Sequence, residues 1–323
     1  MNIGKTKLSL GLILAPMAGF SDRAMRVLCR RYGAEYTVTE MVSAKAVTFG
    51  DKKTSKLAAI REDEGPVALQ LFGSEPDAIA KATEQMSGGV LNFTPPVAID
   101  INMGCPVNKI FSNGEGSALM RDPELIYRIV KAAACTTDLP ITVKMRLGID
   151  RAHINAIECA LAAESGGASA IALHGRTRVE LYSGRADREA MANVKKSLHI
   201  PLVANGDITS ADEALDMLRV TCADGLMIGR GAIGNPFIFS EIAAALRGES
   251  YIPPTLEERV ECALTELRIA IEDKGEQVAV REARGRIALY IRSFRGAAAI
   301  RAAVNRAHAY GEVEAALSLA FRD

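Results

Sequence analysis

The chain has 323 residues, of which 49% are hydrophobic and 24% charged, with no Trp. That composition is globular rather than disordered, and the length suits one large domain with a smaller appendage. Lys and Arg total 39, as do Asp and Glu, so the net charge gives no hint of a polyanionic partner and any such affinity must reside in a local cluster.

Lys5 and Lys7 precede an apolar run from Leu8 to Ala15. The run superficially resembles a secretory leader, but it is short, lacks a small-x-small cleavage site, and reads better as a buried first strand. Strands are then expected at Leu12–Leu14, Tyr36–Thr39, Val67–Leu71, Ala98–Ile101, Thr142–Lys144, Ala170–Leu173, Leu202–Ala204 and Gly225–Ile228. They are apolar without alternation, as parallel strands buried on both faces should be. Helical periodicity lies between them, as at Asp122–Cys135, Ile154–Glu164 and Ala211–Leu218, with capping residues at Ser21-Asp22, Asp122-Pro123 and Thr209-Ser210. Eight strand–helix units in roughly 240 residues is the count of an α/β (β/α)8 TIM barrel, although pattern alone also permits a doubly wound sheet. No stretch reaches the ~18 apolar residues of a membrane-spanning helix.

Beyond Leu246 the pattern changes. Gly248 to Pro254 reads as a linker, and the rest shows only helical periodicity, about four helices' worth. The expected organisation is therefore a barrel over residues 1–247 and a small all-helical domain over 254–323. Residues 281–306 carry seven arginines (281, 284, 286, 292, 295, 301 and 306) against Glu282 alone. Such a segment is either a solvated helix face or a nucleic-acid contact.

Six cysteines, at 29, 105, 135, 159, 222 and 262, form no C-x-x-C pair, and the four histidines are scattered. This argues against a metal site and for unpaired thiols in a reducing cytoplasm. In a barrel, chemistry sits at the C-terminal strand ends. Those ends read Pro16-Met17-Ala18-Gly19, Thr39-Glu40-Met41, Gln70, Asn102-Met103-Gly104-Cys105-Pro106, Lys144-Met145-Arg146, His174-Gly175-Arg176-Thr177-Arg178, Asn205-Gly206-Asp207 and Gly229-Arg230-Gly231. One lysine or cysteine there is unremarkable, being usually solvated or core. Polar groups at six ends imply a polar ligand in the mouth, because burying them without partners costs a few kcal/mol each. Glycine-containing turns after strands seven and eight form the usual barrel phosphate site, and Arg230 adds charge. Lys144 offers a fixed cation to an electron-accepting ring, and Gln70 a donor and an acceptor to a heterocycle edge. FMN fits that description, and the residues by themselves would also permit another phosphorylated ligand.

Five of these segments, in this order, resemble the tRNA-dihydrouridine synthase family, most closely its bacterial B-type branch: Ala15-Pro16-Met17-Ala18-Gly19-Phe20-Ser21-Asp22, Asp100-Ile101-Asn102-Met103-Gly104-Cys105-Pro106, His174-Gly175-Arg176-Thr177-Arg178, Asn205-Gly206-Asp207-Ile208 and Met227-Ile228-Gly229-Arg230-Gly231. The resemblance covers essentially the whole chain. It implies an FMN-bearing barrel and a helical domain that grips tRNA. It also implies reduction of uridine to 5,6-dihydrouridine in the D-loop, with NADPH as reductant, in a cytoplasmic monomer. By the same carry-over, FMN contacts fall on Pro16, Met17, Ala18, Gln70, Lys144, His174, Asn205, Gly206, Asp207, Gly229 and Arg230. Hydride would pass from reduced FMN to uracil C6 while Cys105 protonates C5, and Asn102 would orient the base. Arg176, Arg178, Lys109, Arg284, Arg286 and Arg292 are the expected RNA contacts.

Three departures stand out. Gly88 to Pro96 is longer than the usual turn, Asn108-Lys109 replaces a common pair of lysines, and Arg284-Gly285-Arg286-Ile287-Ala288-Leu289-Tyr290 stands for Arg-Lys-His-x-x-Trp-Tyr. Three alternatives stay open at this level: an FMN barrel acting on a free pyrimidine, an RNA-binding protein without reductase activity, and ribosomal RNA in place of tRNA as substrate.

Overall fold

A computed structural model of the chain describes residues 1–89, 94–292, 294 and 296–321, without the side chains of 52 and 53. The long turn expected at 88–96 and Arg295 thus fall partly or wholly outside the described residues. Eight parallel strands follow in chain order: β1 (Leu12–Leu14), β2 (Tyr36–Val38), β3 (Val67–Phe72), β4 (Ala98–Met103), β5 (Ile141–Arg146), β6 (Ala168–His174), β7 (Leu202–Asn205) and β8 (Gly225–Ile228). Each pairs with the next. Leu226, Met227 and Ile228 of β8 pair with Leu12, Ile13 and Leu14 of β1, which closes the ring and excludes an open doubly wound sheet.

The two-residue period of the strands sorts their side chains onto two faces. Leu12, Leu14, Leu69, Leu71, Ile99 and Ile101 point outward into the layer beneath the helices. The alternate residues, among them Ile13, Tyr36, Ala68, Ala98, Ala170, Val203 and Met227, fill the barrel. A hairpin of Asn2–Ile3 with Thr6–Lys7 plugs its lower end through Ile3 and Leu8. Further along the same inward rows, the interior turns polar. Gln70 follows Ala68, Asp100 and Asn102 follow Ala98, Lys144 follows Thr142, and His174 follows Ala172. The strands look largely apolar in sequence because this chemistry is confined to the inward positions near their C-terminal ends.

The helices begin where the caps predict. Asp122 accepts from the Leu125 N–H with Pro123 in the first turn, and Ser210 accepts from the Glu213 N–H. Among the described residues, no helix is long and apolar enough to cross a membrane.

After Gly248 the chain forms helices Leu256–Lys274, Glu276–Tyr290, Ala297–Arg306 and Tyr310–Ser318. Their apolar faces share one cluster with Ala24, Leu28 and Phe237 of the barrel, which seats them against it. A buried ionic group lies at this junction. Arg286 donates to Asp22 at 3.0 Å and meets Glu266 at 3.3 Å, Lys274 donates to Asp22 at 2.7 Å, and the Tyr290 hydroxyl donates to Glu266 at 2.6 Å. Burial alone would raise the Asp22 carboxyl, but Arg286 and Lys274 hold it below the usual range. Arg286, expected at an RNA surface, is therefore only 3% exposed and committed to two carboxylates. Arg284 is half-buried and donates to the Ala307 carbonyl at 2.6 Å, joining two helices. Of the three tail arginines singled out from sequence, Arg292 alone is exposed.

Candidate active site

Cys105 sits just past β4 on a loop held from several directions. Asn102 accepts through Oδ1 from the Gly104 and Cys105 N–H groups at 3.2 and 2.9 Å, and donates through Nδ2 to Gln70 at 2.9 Å. Gln70 donates in turn to Asp100 at 2.7 Å, whose other oxygen accepts from Thr142 at 2.5 Å. The Cys105 carbonyl accepts from the Ser117 N–H and hydroxyl at 3.1 and 2.8 Å. Arg146 ties this loop to the one after β6, donating to the carbonyls of Gly104, Thr177 and Leu181 at 2.9–3.0 Å. A buried chain of hydrogen bonds thus runs from the barrel interior to the backbone of one cysteine, and buried polar groups so satisfied rigidify their surroundings. Burial pushes the Cys105 thiol up, against the lowering pull of the Val107 N–H, Arg146 and Lys144. The thiol keeps its proton at neutral pH and is suited to act as an acid.

Lys144 donates to Asn205 Oδ1 at 3.0 Å, and no carboxylate pairs with it among the described residues. Burial, with Arg146 adding repulsion, lowers its pKa to about 8. Two of its three N–H donors remain available to a ligand. Asn205 is oriented in turn by its Nδ2, which donates to the Met227 carbonyl at 2.7 Å. His174 is held neutral by burial and by the cations Lys144, Arg146, Arg176 and Arg230.

The turns after β7 and β8 both border the mouth of the barrel. Gly206 has φ +131°, and a Cβ there would lie 2.8 Å from that of Ala186, so only glycine fits. Asp207 accepts from Arg176 with both carboxylate oxygens, at 2.9 and 2.7 Å, and from the Ala186 N–H at 2.8 Å. Arg176 also donates to the carbonyls of Ser183 and Gly184 and is 1% exposed. It is an internal brace of this loop and has no free guanidinium face for a phosphate at the rim. Arg178 stacks 3.6 Å over the Phe111 ring and donates to Asn108 Oδ1 at 2.6 Å, linking the β6 loop to the Cys105 loop. Lys109 is exposed beside it. Arg230, about half exposed, lies 4.4 Å over the Tyr182 ring and 3.4 Å from Asp207.

One cavity of about 730 Å³ joins these groups: Pro16, Met17, Asn102, Cys105, Lys144, His174, Asn205, Gly206, Asp207, Gly229 and Arg230 all line it. The Pro16–Met17 wall is fixed by Ser21, whose hydroxyl accepts from the Met17 N–H at 2.8 Å. Two of the predicted contacts are placed elsewhere. Ala18 is exposed outside the cavity, and Gln70 is buried and not among the lining residues, its amide bonded to Asp100 and Asn102. Arg146, Tyr182 and Arg259 line the cavity without having been singled out from sequence. Arg146 could have been found from its two-residue spacing after Lys144. Tyr182 lies eight residues beyond a strand end, and Arg259 comes from the helical segment.

The donor set suits a ligand with a heterocycle near Cys105 and Lys144 and an anionic tail at the β7–β8 turns. Asp207 is the sole carboxylate lining the cavity among the described residues, and it is already neutralised by Arg176.

Residues 13–323 match the family described as dihydrouridine synthase (Dus). Over 307 residues the chain is 39% identical to a probable tRNA-dihydrouridine synthase of Rickettsia conorii, covering 94% of this chain and 91% of that protein. It is likewise 39% identical over 309 residues to tRNA-dihydrouridine synthase B of Pseudomonas putida, covering 94% and 89%. Among solved structures, histamine dehydrogenase from Rhizobium sp. 4-9 aligns with a TM-score of 0.55 at 14% identity, over 83% of this chain. The chain spans 50% of that larger protein, so the likeness concerns the fold alone.

Proposed function

The chain belongs to the dihydrouridine synthase family, and from that premise we propose that it reduces uridine to 5,6-dihydrouridine in the D-loop of tRNA. FMN is its bound cofactor, NADPH the reductant, and the cytoplasm its compartment. The observation that carries this reading is the shared cavity. It holds a protonated thiol on a braced loop, a buried lysine without a carboxylate partner among the described residues, and two glycine-containing turns with Arg230.

FMN fits those residues, with Gly206, Gly229 and Arg230 toward its phosphate and Lys144, His174 and Asn205 toward its ring; when bound, it supplies the hydride that goes to uracil C6. Asn102 orients the base and Cys105 gives its proton to C5. A stacked uridine cannot enter such a pocket, so the target nucleotide must be extruded or already unpaired. Residues 1–247 carry this chemistry and residues 254–323 grip the RNA, with Lys109 and Arg178 as cations left near the mouth. The test is incubation of the purified protein with FMN, NADPH and a tRNA transcript, followed by nucleoside mass spectrometry. Dihydrouridine should form in the transcript but not from free uridine. Equal turnover of free uridine would transfer the reading to a small-molecule reductase.

Two variants probe the site's construction. Arg230→Ala should purify depleted of flavin and recover activity when FMN is added in excess; full retention of yellow colour through dialysis would place the phosphate elsewhere. Gly116 has φ +59°, and a Cβ there would lie 2.9 Å from both the Cβ and the carbonyl oxygen of Cys105. Gly116→Ala should displace the acid loop, and a shift on the order of 1 Å lowers rates about a hundredfold. Flavin content should stay normal, since the displaced atoms belong to the Cys105 loop.

A further inference from the structure

The cavity does not end at the barrel. Past Gly229, Arg230 and Gly231 it continues to Gly234 and Asn235, and its far wall consists of Arg259, Leu289 and Arg292 from the helical segment. That wall is fixed in place. A Cβ on Gly234 would lie 2.4 Å from Cβ of Leu289, so the end of helix Glu276–Tyr290 rests directly on the turn after β8. Arg292 follows two residues past that helix. Arg259, on helix Leu256–Lys274, has its guanidinium 5.9 Å from the Phe237 ring centroid.

The charges at this end of the cavity are unbalanced. Arg230 makes one long contact to Asp207, whose carboxylate is already bound by the buried Arg176. Neither Arg259 nor Arg292 has an acidic partner among the described residues, although helix Leu256–Lys274 is rich in glutamate. Arg230, Arg259 and Arg292 therefore line one cavity whose sole carboxylate among the described residues, Asp207, is already bound by Arg176. Arginine left unpaired in such a wall is matched to a multiply charged oxyanion.

We propose that Arg259 and Arg292 complete the phosphate site of the cofactor, so that the helical segment helps to retain FMN as well as binding RNA. This rests on the flavin reading above. The alternative occupant of the two arginines is the RNA backbone. Their place in the lining of the same cavity as Arg230 and the β8 turn favours the cofactor's phosphate, since the turns after the last two strands are where a barrel commonly binds one.

The experiment compares FMN with riboflavin, which lacks the phosphate, by quenching of flavin fluorescence on the full-length apoprotein. The proteins are the native chain, Arg259→Ala/Arg292→Ala, and Arg259→Lys/Arg292→Lys. The alanine variant should bind FMN roughly tenfold or more weakly, with riboflavin affinity unchanged, and the lysine variant should recover most of the loss. A preserved FMN-to-riboflavin affinity ratio in the alanine variant overturns the proposal. If tRNA affinity alone falls, the two arginines belong to the RNA backbone and the proposal is likewise overturned. A native chain that binds neither flavin would instead sink the cofactor assignment itself. Equal loss of both flavins, with altered circular dichroism, would make the arginines structural and reject the phosphate contact.

Discussion

Cys105→Ala should retain bound FMN and its reduction by NADPH while losing uridine reduction by about 10²–10⁴-fold, the usual range for removal of a positioned general acid. The separation follows from where the residue is held. Its backbone hydrogen bonds run to Asn102 and Ser117 and do not involve the thiol, so the loop survives the substitution. Lys144, Asn205, Gly206, Gly229 and Arg230 come from β5, β7 and the turns after β7 and β8, and none of the hydrogen bonds found for them involves the cysteine side chain. The thiol's upward shift through burial means that the proton is present at neutral pH, so its loss should appear in the RNA step alone. Anaerobic reduction of the flavin by NADPH, followed by mixing with tRNA, separates the two half-reactions. Normal reoxidation by tRNA in the alanine variant would remove Cys105 from the mechanism. The other cysteines offer the contrast: Cys29, Cys159 and Cys262 are buried, and Cys135 and Cys222 are exposed. None of these five lines the cavity, and serine or alanine at each exposed one should change activity little.

The barrel was legible because parallel strands buried on both faces leave uninterrupted apolar runs, and because each run is followed by a turn and a capped helix. The strand-end chemistry was legible for a related reason. Asn102, His174 and Asn205 each occupy a last inward position, and Lys144 the one before Arg146, so polar residues closing an apolar run mark the mouth. The N-terminal hairpin was not legible, since two-residue strands carry no periodic signal. What sequence could not decide was the fate of individual polar side chains. Gln70 looks like a ligand contact until Asp100 and Asn102, 30 and 32 residues away, are seen to take its amide. Arg176 looks like a rim cation until Asp207 is placed 2.7 Å from it. A run of arginines is likewise the same string whether it faces solvent or a buried carboxylate. Only the tertiary fold divides Arg286 from Arg292.

That division sets the second large expectation. Arg286→Ala should destabilise the protein by about 3–5 kcal/mol, the usual effect of breaking a buried ion pair from one side, and should not act chiefly on RNA affinity. Arg286 bridges Asp22 and Glu266, both nearly inaccessible, and donates to the Phe20 carbonyl at 3.3 Å. Removing it leaves Glu266 with the Tyr290 hydroxyl and Asp22 with Lys274, which cannot reproduce the two-carboxylate bridge. Asp22 also caps helix Arg23–Arg31, accepting from the Met25 N–H, so the loss should spread into the barrel's first helix. Arg281→Ala, at an exposed position in the same helix, should stay within about 0.5 kcal/mol of the native chain. Urea unfolding of the two variants, monitored by circular dichroism, gives the comparison directly. Equal stability of Arg286→Ala and Arg281→Ala, with tRNA affinity lost only in the former, would return Arg286 to the RNA surface. The expected order is the reverse: a large fall in unfolding midpoint for Arg286→Ala, and RNA binding that weakens only as the helical segment loses its seat on the barrel.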